Sequence, residues 1–238
     1  MVACGLFRGF VMRSNLLIDA DDTLWENNIY FEQAFEEFVD FLDHSTLGAA
    51  EIRAVLDEIE TVNNQIHGYG SANFARNLQQ CFSHLAEREI RPEDLVTIRG
   101  LGERLLDHPM DVIEGVEETL GYLRERHTLV LFTKGHAEEQ KLKLDRSGLA
   151  SCFHHTAIVK EKDAEAYRKL VRDLHLDPGG TWMIGNSPKS DVNAALEAGL
   201  GAVFIPHAHT WTLERESLRE GDGRLLTLSN FSQLRMHF

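Results

Sequence analysis

Cysteine is scarce in this chain, and its few positions fit no metal or disulfide pattern. The 238 residues include only three cysteines, Cys4, Cys81 and Cys152, at wide and irregular spacings. A disulfide framework or a zinc centre needs an even or closely paired set of thiols. A sparse, odd count is typical of free thiols in a reducing compartment, so we expect a cytoplasmic protein.

Positive charge is also in short supply. Lys and Arg number 24 against 38 Asp and Glu, which gives a formal net charge of -14. So acidic a chain is a poor match for the phosphate backbone of a nucleic acid, and we expect no nucleic-acid partner. A small substrate remains compatible, because a metal ion and a few local cations can handle its charge.

Long apolar runs are missing as well. No segment approaches the roughly 18 consecutive apolar residues of a membrane span, so we expect no membrane partner. Residues 1–11 are mildly apolar, but Arg8 interrupts them and they are too short for a signal peptide. We interpret residues 1–11 as an N-terminal extension, with Met12 as an alternative start. The pattern carries no information about the oligomeric state.

One apolar run ends abruptly in a cluster of acids. Leu16–Ile18 run straight into Asp19, Asp21 and Asp22, and Thr23 follows. Such a run predicts a buried parallel strand whose carboxyl end opens into a polar site, where open α/β sheets bind ligands. Asp19 and Asp21 are two residues apart, so an extended backbone would point both to the same side. Carboxylates this close repel unless a cation or a shared proton relieves them.

A long stretch after Trp25 has helical periodicity. Apolar residues recur at helical spacing in segments between about Asn28 and Asp107. Asn28 is a fair N-cap for the first segment, and Pro92 begins the last one. Four amphipathic helices in about 80 residues predict a small helical bundle.

Strand and helix patterns alternate through the rest of the chain. Strands are predicted at Leu129–Phe132, Ala157–Val159, Trp182–Ile184, Ala202–Ile205 and Leu225–Leu228. Helices are predicted at about Gly115–Arg126, Ala137–Ser147, Asp163–His175 and Pro188–Ala198. This alternation favours a parallel sheet covered on both faces. We therefore predict a doubly wound α/β core from residues 12–28 and 108–238, interrupted by a helical domain at 29–107.

The segment Asp19-Ala20-Asp21-Asp22-Thr23-Leu24 resembles the first motif of the haloacid dehalogenase-like (HAD) hydrolase superfamily. The resemblance runs from about residue 12 to about 206, and the helical insertion is similar to the cap domain of some members. It implies a Rossmann-like core, with Asp19 as nucleophile and Asp21 as general acid/base. The chemistry agrees, since a carboxylate can attack phosphorus to form an aspartyl-phosphate. A second carboxylate can protonate the leaving oxygen and then activate water.

The second and third motifs of the family have matches further along. Thr133 ends a predicted strand, and its hydroxyl and the N–H groups of Lys134 and Gly135 would hold phosphoryl oxygens. The third motif is a lysine that offsets negative charge on the nucleophile. Lys160 and Lys162 are both candidates, and Lys162 is favoured because the helix start that follows it is similar to the family's.

The segment Gly185-Asn186-Ser187-Pro188-Lys189-Ser190-Asp191 resembles the fourth motif, with one departure. The family has Gly-Asp followed by a second Asp. Asp191 matches that second Asp, whereas Asn186 stands where the first is usual. An Asn can ligate a hard cation through its carbonyl oxygen but brings no charge. The resemblance implies a Mg²⁺ site formed by Asp19, the backbone carbonyl of Asp21, Asn186 and Asp191.

Two further sets of residues are weaker candidates. Trp25 and Asn27 follow the first motif and could contact the substrate, although Trp25 could equally pack at the hinge of the insertion. His207 and His209 form an H-x-H pair. Without a third ligand at a matching spacing, we interpret these two as surface or loop histidines.

The predicted function is that of a Mg²⁺-dependent phosphatase acting on a small-molecule phosphate monoester through an aspartyl-phosphate. Nucleoside monophosphates, sugar phosphates and phosphoglycolate all remain open as substrates. The alternative is a non-catalytic phospholigand-binding or regulatory protein, for which Asn186 is the sequence support. Among enzymes a phosphomutase remains open. A dehalogenase is disfavoured, because those relatives lack the second Asp of the first motif, here Asp21.

Overall fold

A computed structural model of the chain describes residues 13–220 and 223–238, so the predicted extension 1–11 and Met12 lie outside the described residues. The strands are β1 (Asn15–Ile18), β2 (Thr128–Lys134), β3 (His155–Val159), β4 (Thr181–Gly185), β5 (Gly201–Phe204) and β6 (Leu225–Thr227). They form one six-stranded sheet in the order β3-β2-β1-β4-β5-β6. All neighbouring strands are parallel. The predicted parallel sheet is confirmed, with β1 near its middle.

The helices are α1 (Asn28–Leu42), α2 (Ala49–His67), α3 (Ser71–Leu85), α4 (Pro92–Glu103), α5 (Val116–Arg124), α6 (Ala137–Ser147), α7 (Ala164–Asp173) and α8 (Ala194–Glu197). Apolar side chains fill a layer on each face of the sheet, because successive residues of a strand point to opposite faces. In β1, Leu16 and Ile18 pack in one layer and Leu17 in the other. Among the described residues, no helix is both long and apolar enough to cross a membrane.

Helices α1–α4 form what we call the helical unit, which lies between β1 and β2 in the chain. It has an apolar core separate from the two layers of the sheet, with Phe38, Leu56, Phe82 and Ile98 fully buried. Each helix contributes one apolar face, as the helical spacing predicts. The unit therefore buries enough apolar surface of its own to hold a defined shape over the core.

The predicted helix at Pro188–Ala198 is not a uniform α-helix. Residues Pro188–Asn193 form a π-helix that continues into α8. The N–H groups of Asp191 and Val192 both donate to Ser187 O, at 3.1 Å each. The Ser187 hydroxyl accepts from Ser190 N at 2.9 Å and caps this first turn. The apolar periodicity of the sequence does not reveal such a widened turn. Widened turns of this kind are often found at functional sites.

Helices α3 and α4 approach closely at Gly102. A Cβ at this position would lie only 2.6 Å from Ala75 Cβ, whereas a Cβ at Gly100 on the same helix would meet nothing within 4 Å. We predict that Gly102→Ala lowers the free energy of unfolding of the helical unit by about 1–3 kcal/mol through overpacking. The matched change Gly100→Ala should raise it by about 0.5–1 kcal/mol, because Ala is the better helix former. Urea denaturation followed by circular dichroism measures both, and equal effects would contradict the close packing.

Candidate active site

The carboxyl edge of the central strands gathers the acidic and amide residues of the first and fourth motifs. Asp19 directly follows β1, and its N–H donates to Ile184 O of β4 at 2.9 Å. Asn186 directly follows β4, and Thr133 lies near the end of β2. The chain adds strands on one side of β1 and then on the other, so this edge is a topological switch point. Ligands of open α/β sheets bind at such a point.

Lys162, rather than Lys160, lies at the centre of this edge. Its Nζ is 2.5 Å from Asp19 Oδ1 and 2.6 Å from Asp191 Oδ1, and its side chain is 2% exposed. Lys160 is exposed to solvent. Burial alone would lower the pKa of Lys162, but the two carboxylates hold it above its usual range, so the lysine stays charged. The ammonium therefore joins the first and fourth motifs directly.

One lysine does not neutralise two carboxylates at this edge. Burial, and next the charge of Asp191, raise the pKa of Asp19 to about 7, although Lys162 acts to lower it. Apart from the Lys162 ammonium, Asp191 Oδ1 is a buried oxygen without a hydrogen-bond partner among the described residues. Excess negative charge, and a buried carboxylate oxygen whose one neighbour is the shared Lys162 ammonium, are what a hard divalent cation would satisfy.

Gly185 and Thr210 fix the positions of the fourth-motif residues Asp191 and Asn186, respectively. A Cβ on Gly185 would lie 2.1 Å from Asp191 Oδ2, so the glycine is needed for this close approach. Asn186 Nδ2 donates to Thr210 Oγ1 at 3.2 Å, and the Thr210 hydroxyl in turn donates to His207 O at 3.0 Å. Asn186 Oδ1 accepts from Thr23 Oγ1 at 3.2 Å. An Asp could not donate to Thr210, which gives the amide a structural role that sequence reasoning missed.

Asp21 is held by donors from three side chains. Trp25 Nε1 donates to it at 2.8 Å, Gln140 Nε2 at 2.7 Å and Lys143 Nζ at 2.9 Å. Burial raises the pKa of Asp21, but Lys143, Gln140 and Trp25 outweigh burial and hold it below its usual range. Gln140 and Lys143 are three residues apart on α6 and share a face. No sequence signal indicated that this face turns towards Asp21.

Trp25 was expected to contact the substrate or to pack at the hinge. It is fully buried and does not line the main cavity. Its backbone bridges to Val112, where the chain returns from the helical unit. Trp25 therefore meets the site through its hydrogen bond to Asp21, and its fully buried indole ring has no surface left for a substrate.

The end of β2 offers a hydroxyl but not all of the expected N–H groups. Thr133 is 1% exposed and lines the cavity. The N–H of Gly135 donates to Val159 O at 3.1 Å and so extends the sheet instead of facing a phosphate. Lys134 Nζ is paired with the buried Glu214. Lys134 therefore anchors the segment after β5 over the site, and its charge is already compensated.

The linker into the helical unit is tied to the segment after β5. Asp22 Oδ1 accepts from Asn27 N at 2.9 Å and Asn28 N at 3.0 Å, which fixes the start of α1. His207 Nε2 lies 3.2 Å from Glu26 Oε2, and its other ring nitrogen faces Asp22. Asp22, Glu26 and His207 bring one possible ligand atom each within 4.8 Å of one another, so this cluster has the composition of a metal site. His209 is not part of this cluster.

The helical unit lies over the carboxyl edge and encloses a cavity of about 160 Å³ between them. Ser71 N and Oγ donate to Glu139 at 3.0 and 2.8 Å, and Tyr69 OH donates to Glu161 at 2.8 Å. Asp19, Asp21, Lys162, Asn186 and Asp191 line one end of the cavity, and residues of α1, α2 and α3 line the other. The arrangement can hold a phosphate or carboxylate group at the acidic end and a larger group beneath the helices.

Known proteins are similar to this chain in sequence and in structure. A family model for haloacid dehalogenase-like hydrolases matches residues 15–199. The pyrimidine 5′-nucleotidase YjjG of Escherichia coli (strain K12) is 24% identical over 223 residues, which cover 83% of this chain and 92% of that protein. A haloacid dehalogenase-like family hydrolase from Xanthomonas campestris is 27% identical in its crystal structure, with a TM-score of 0.80 and 94% of each chain covered.

A more distant likeness shows the fold alone. The 2-haloacid dehalogenase from Pseudomonas syringae pv. tomato DC3000 is 21% identical, covers 94% of this chain and 97% of its own, and has a TM-score of 0.62. The motif resemblance and the six-stranded parallel sheet thus agree with the family match, which spans most of the chain. This chain belongs to the haloacid dehalogenase-like hydrolase family and is a hydrolase.

Proposed function

We propose that this hydrolase is a phosphatase that cleaves a small-molecule phosphate monoester, with Asp19 as its nucleophile. The similar proteins include a nucleotidase and a dehalogenase, so membership of the family permits either chemistry. The observation that favours phosphate is Asp21, a second carboxylate held beside the nucleophile by Trp25, Gln140 and Lys143. A leaving alkoxide needs a proton from such a group, whereas a leaving halide needs none.

In the first step a carboxylate oxygen of Asp19 attacks phosphorus. Asp19 Oδ1 is engaged by Lys162, whereas Oδ2 has only the Thr23 hydroxyl at 3.5 Å, so Oδ2 is the freer nucleophile. The new O–P bond makes an aspartyl-phosphate as the bond to the alcohol oxygen breaks. Thr133 and the Lys162 ammonium would stabilise charge on the phosphoryl oxygens.

Asp21 handles the proton in both steps. In the free site Lys143 keeps it ionised, and the negative charge of a bound phosphate would raise its pKa towards protonation. The protonated group then gives its proton to the leaving alcohol oxygen. In the second step ionised Asp21 takes a proton from water, which attacks phosphorus, releases phosphate and restores Asp19.

The residues of the carboxyl edge also fit a magnesium ion. Asp19, the backbone carbonyl of Asp21, Asn186 and Asp191 would hold it, because carboxylate, amide and carbonyl oxygens are its preferred ligands. When bound, Mg²⁺ neutralises and orients the phosphoryl group. The excess of negative charge around Lys162, which Asp19 and Asp191 share as their one cation, supports this proposal.

We further propose that residues 29–107 act as a cap that closes over the phosphate and excludes water. Its linkers lie near Glu26–Asn28 and Asp107–Met110. The Tyr69–Glu161 and Ser71–Glu139 hydrogen bonds support a closed arrangement, since they join the turn between α2 and α3 and the start of α3 to the core.

Asp19→Asn is predicted to abolish hydrolysis of p-nitrophenyl phosphate while the protein still folds. An amide of the same shape is not a nucleophile, and Asp191 remains to pair with Lys162. The matched control Asp145→Asn alters an exposed carboxylate on α6 and should leave the rate unchanged. Activity of Asp19→Asn within a few-fold of the wild type would rule out the covalent mechanism. Absence of turnover in the wild type at any Mg²⁺ concentration would contradict the phosphatase proposal.

The Asn186 substitution predicts an altered dependence on Mg²⁺. Asn186→Asp should lower the half-saturating Mg²⁺ concentration, because it restores a negatively charged ligand. Asn186→Ala should raise that concentration by about 10–100-fold, since the ligand is lost. Titrating the phosphatase rate with Mg²⁺ for the three proteins measures both effects. Identical half-saturation in all three would mean that Asn186 does not touch the metal.

A further inference from the structure

The end of the cavity beneath the helices carries amide donors that lack partners. Asn77 is 1% exposed, and its Oδ1 accepts from Asn63 Nδ2 at 2.8 Å. Asn64 Oδ1 accepts from Asn73 Nδ2 at 2.9 Å. These bonds orient both amides, and neither Asn64 Nδ2 nor Asn77 Nδ2 finds an acceptor within residues 13–220 and 223–238. Both residues line the cavity, Asn77 buried and Asn64 half-buried, so these two N–H donors are available to acceptors of a bound ligand.

A carboxylate completes this polar wall. Glu60 lies one turn before Asn64 on α2, is 4% exposed and lines the same cavity. Its Oε2 accepts from Trp211 Nε1 at 3.3 Å. No donor from the described part of the chain reaches Oε1. The wall therefore offers two amide donors and one carboxylate acceptor to whatever fills the cavity.

Aromatic side chains form the remaining sides of this end. Phe31 and Phe74 pack edge to face with ring centres 5.0 Å apart, and Tyr69 and Trp211 do so at 5.9 Å. All four line the cavity. Lys134 Nζ lies 4.7 Å from the Tyr69 ring centre and follows Thr133, so the aromatic end adjoins the phosphate end. Aromatic walls suit a flat ring, which they can cover by stacking.

The charges and the aromatic walls of the cavity disfavour two of the substrate classes that the sequence left open. Glu32, Glu60 and Glu139 line it, and Arg53 is already paired with Glu32 at 2.7 Å. A second anionic group, such as the carboxylate of phosphoglycolate, would meet net negative charge. A sugar phosphate would have no flat face to place against the aromatic rings. A neutral heterocycle satisfies both conditions.

Building on the proposed phosphatase function, we infer that the substrate is a pyrimidine nucleoside monophosphate whose base is read by Glu60, Asn64 and Asn77. The pairing edge of uracil carries two carbonyl acceptors and one N–H donor. That of cytosine carries a carbonyl, a ring nitrogen and one amino donor. Each of these bases therefore has two acceptors and one donor, which equals in number what two amide donors and one carboxylate acceptor can pair. Guanine presents one acceptor and two donors at the same edge, and adenine one of each, so each purine leaves part of the wall unpaired.

The test compares kcat/KM for uridine, cytidine, adenosine and guanosine 5′-monophosphates with that for p-nitrophenyl phosphate, which has no base. The wild type should prefer both pyrimidine nucleotides to both purine nucleotides. Glu60→Gln and Asn77→Asp keep the side-chain shape but exchange acceptor and donor groups. Each substitution should lower the kcat/KM for pyrimidine nucleotides, relative to that for p-nitrophenyl phosphate, by about 10–100-fold. The matched controls Glu58→Gln and Gln65→Glu lie on the exposed side of α2 and should keep the wild-type ratio.

Unchanged ratios in Glu60→Gln and Asn77→Asp, or a preference for purine nucleotides, would overturn the base-reading assignment while leaving the phosphatase proposal intact. If no phosphate ester is turned over, the phosphatase proposal fails, and calorimetric titration then decides the base-reading assignment alone. Uridine 5′-monophosphate should bind the wild type more tightly than ribose 5-phosphate does, and Glu60→Gln should remove the difference. Equal binding of the two compounds to the wild type would contradict the assignment.

Discussion

The buried ammonium of Lys162 between Asp19 and Asp191 is the interaction around which the carboxyl edge of the sheet is arranged. Two carboxylates, one directly after β1 and one in the π-helix that follows β4, can approach each other only if a cation compensates them. The sheet order puts these strands side by side, and the glycine at position 185 leaves room for Asp191. Asp19 and Asp191 together carry one more negative charge than Lys162 compensates, and for this reason a hard cation suits the site.

The two carboxylates of the first motif have opposite surroundings. Burial and Asp191 raise the pKa of Asp19, whereas Lys143, Gln140 and Trp25 hold that of Asp21 down against the effect of burial. A bound cation would shift Asp19 towards its ionised form, and a bound phosphate would shift Asp21 towards its protonated form. Ligands would thus prepare a nucleophile and an acid from the same pair. Such division of roles between neighbouring acids by environment recurs among hydrolases.

Residues on strand ends were predictable from the sequence, and residues that arrive from loops and helix faces were not. The apolar run into Asp19 and the strand before Asn186 determine where those side chains lie, because parallel strands end at a common edge. Lys143 and Thr210 reach the site through the rotation of a helix and the path of a loop, which periodicity does not encode. The N–H of Gly135 was misassigned because β2 continues its pairing with β3 beyond the point where the apolar run stops.

The central claim is that phosphate passes through a covalent bond to Asp19, and trapping that bond tests it most directly. The substitution Asp21→Asn should slow the attack of water on the aspartyl-phosphate, because the general base is lost. The aspartyl-phosphate should then accumulate when p-nitrophenyl phosphate and Mg²⁺ are supplied, and quenching in acid preserves it for analysis. Mass spectrometry of the peptide that contains residues 14–53 should then show the mass of one added phosphoryl group, located on Asp19. Release of p-nitrophenol with an unmodified peptide, or a phosphoryl group on another residue, would contradict the account.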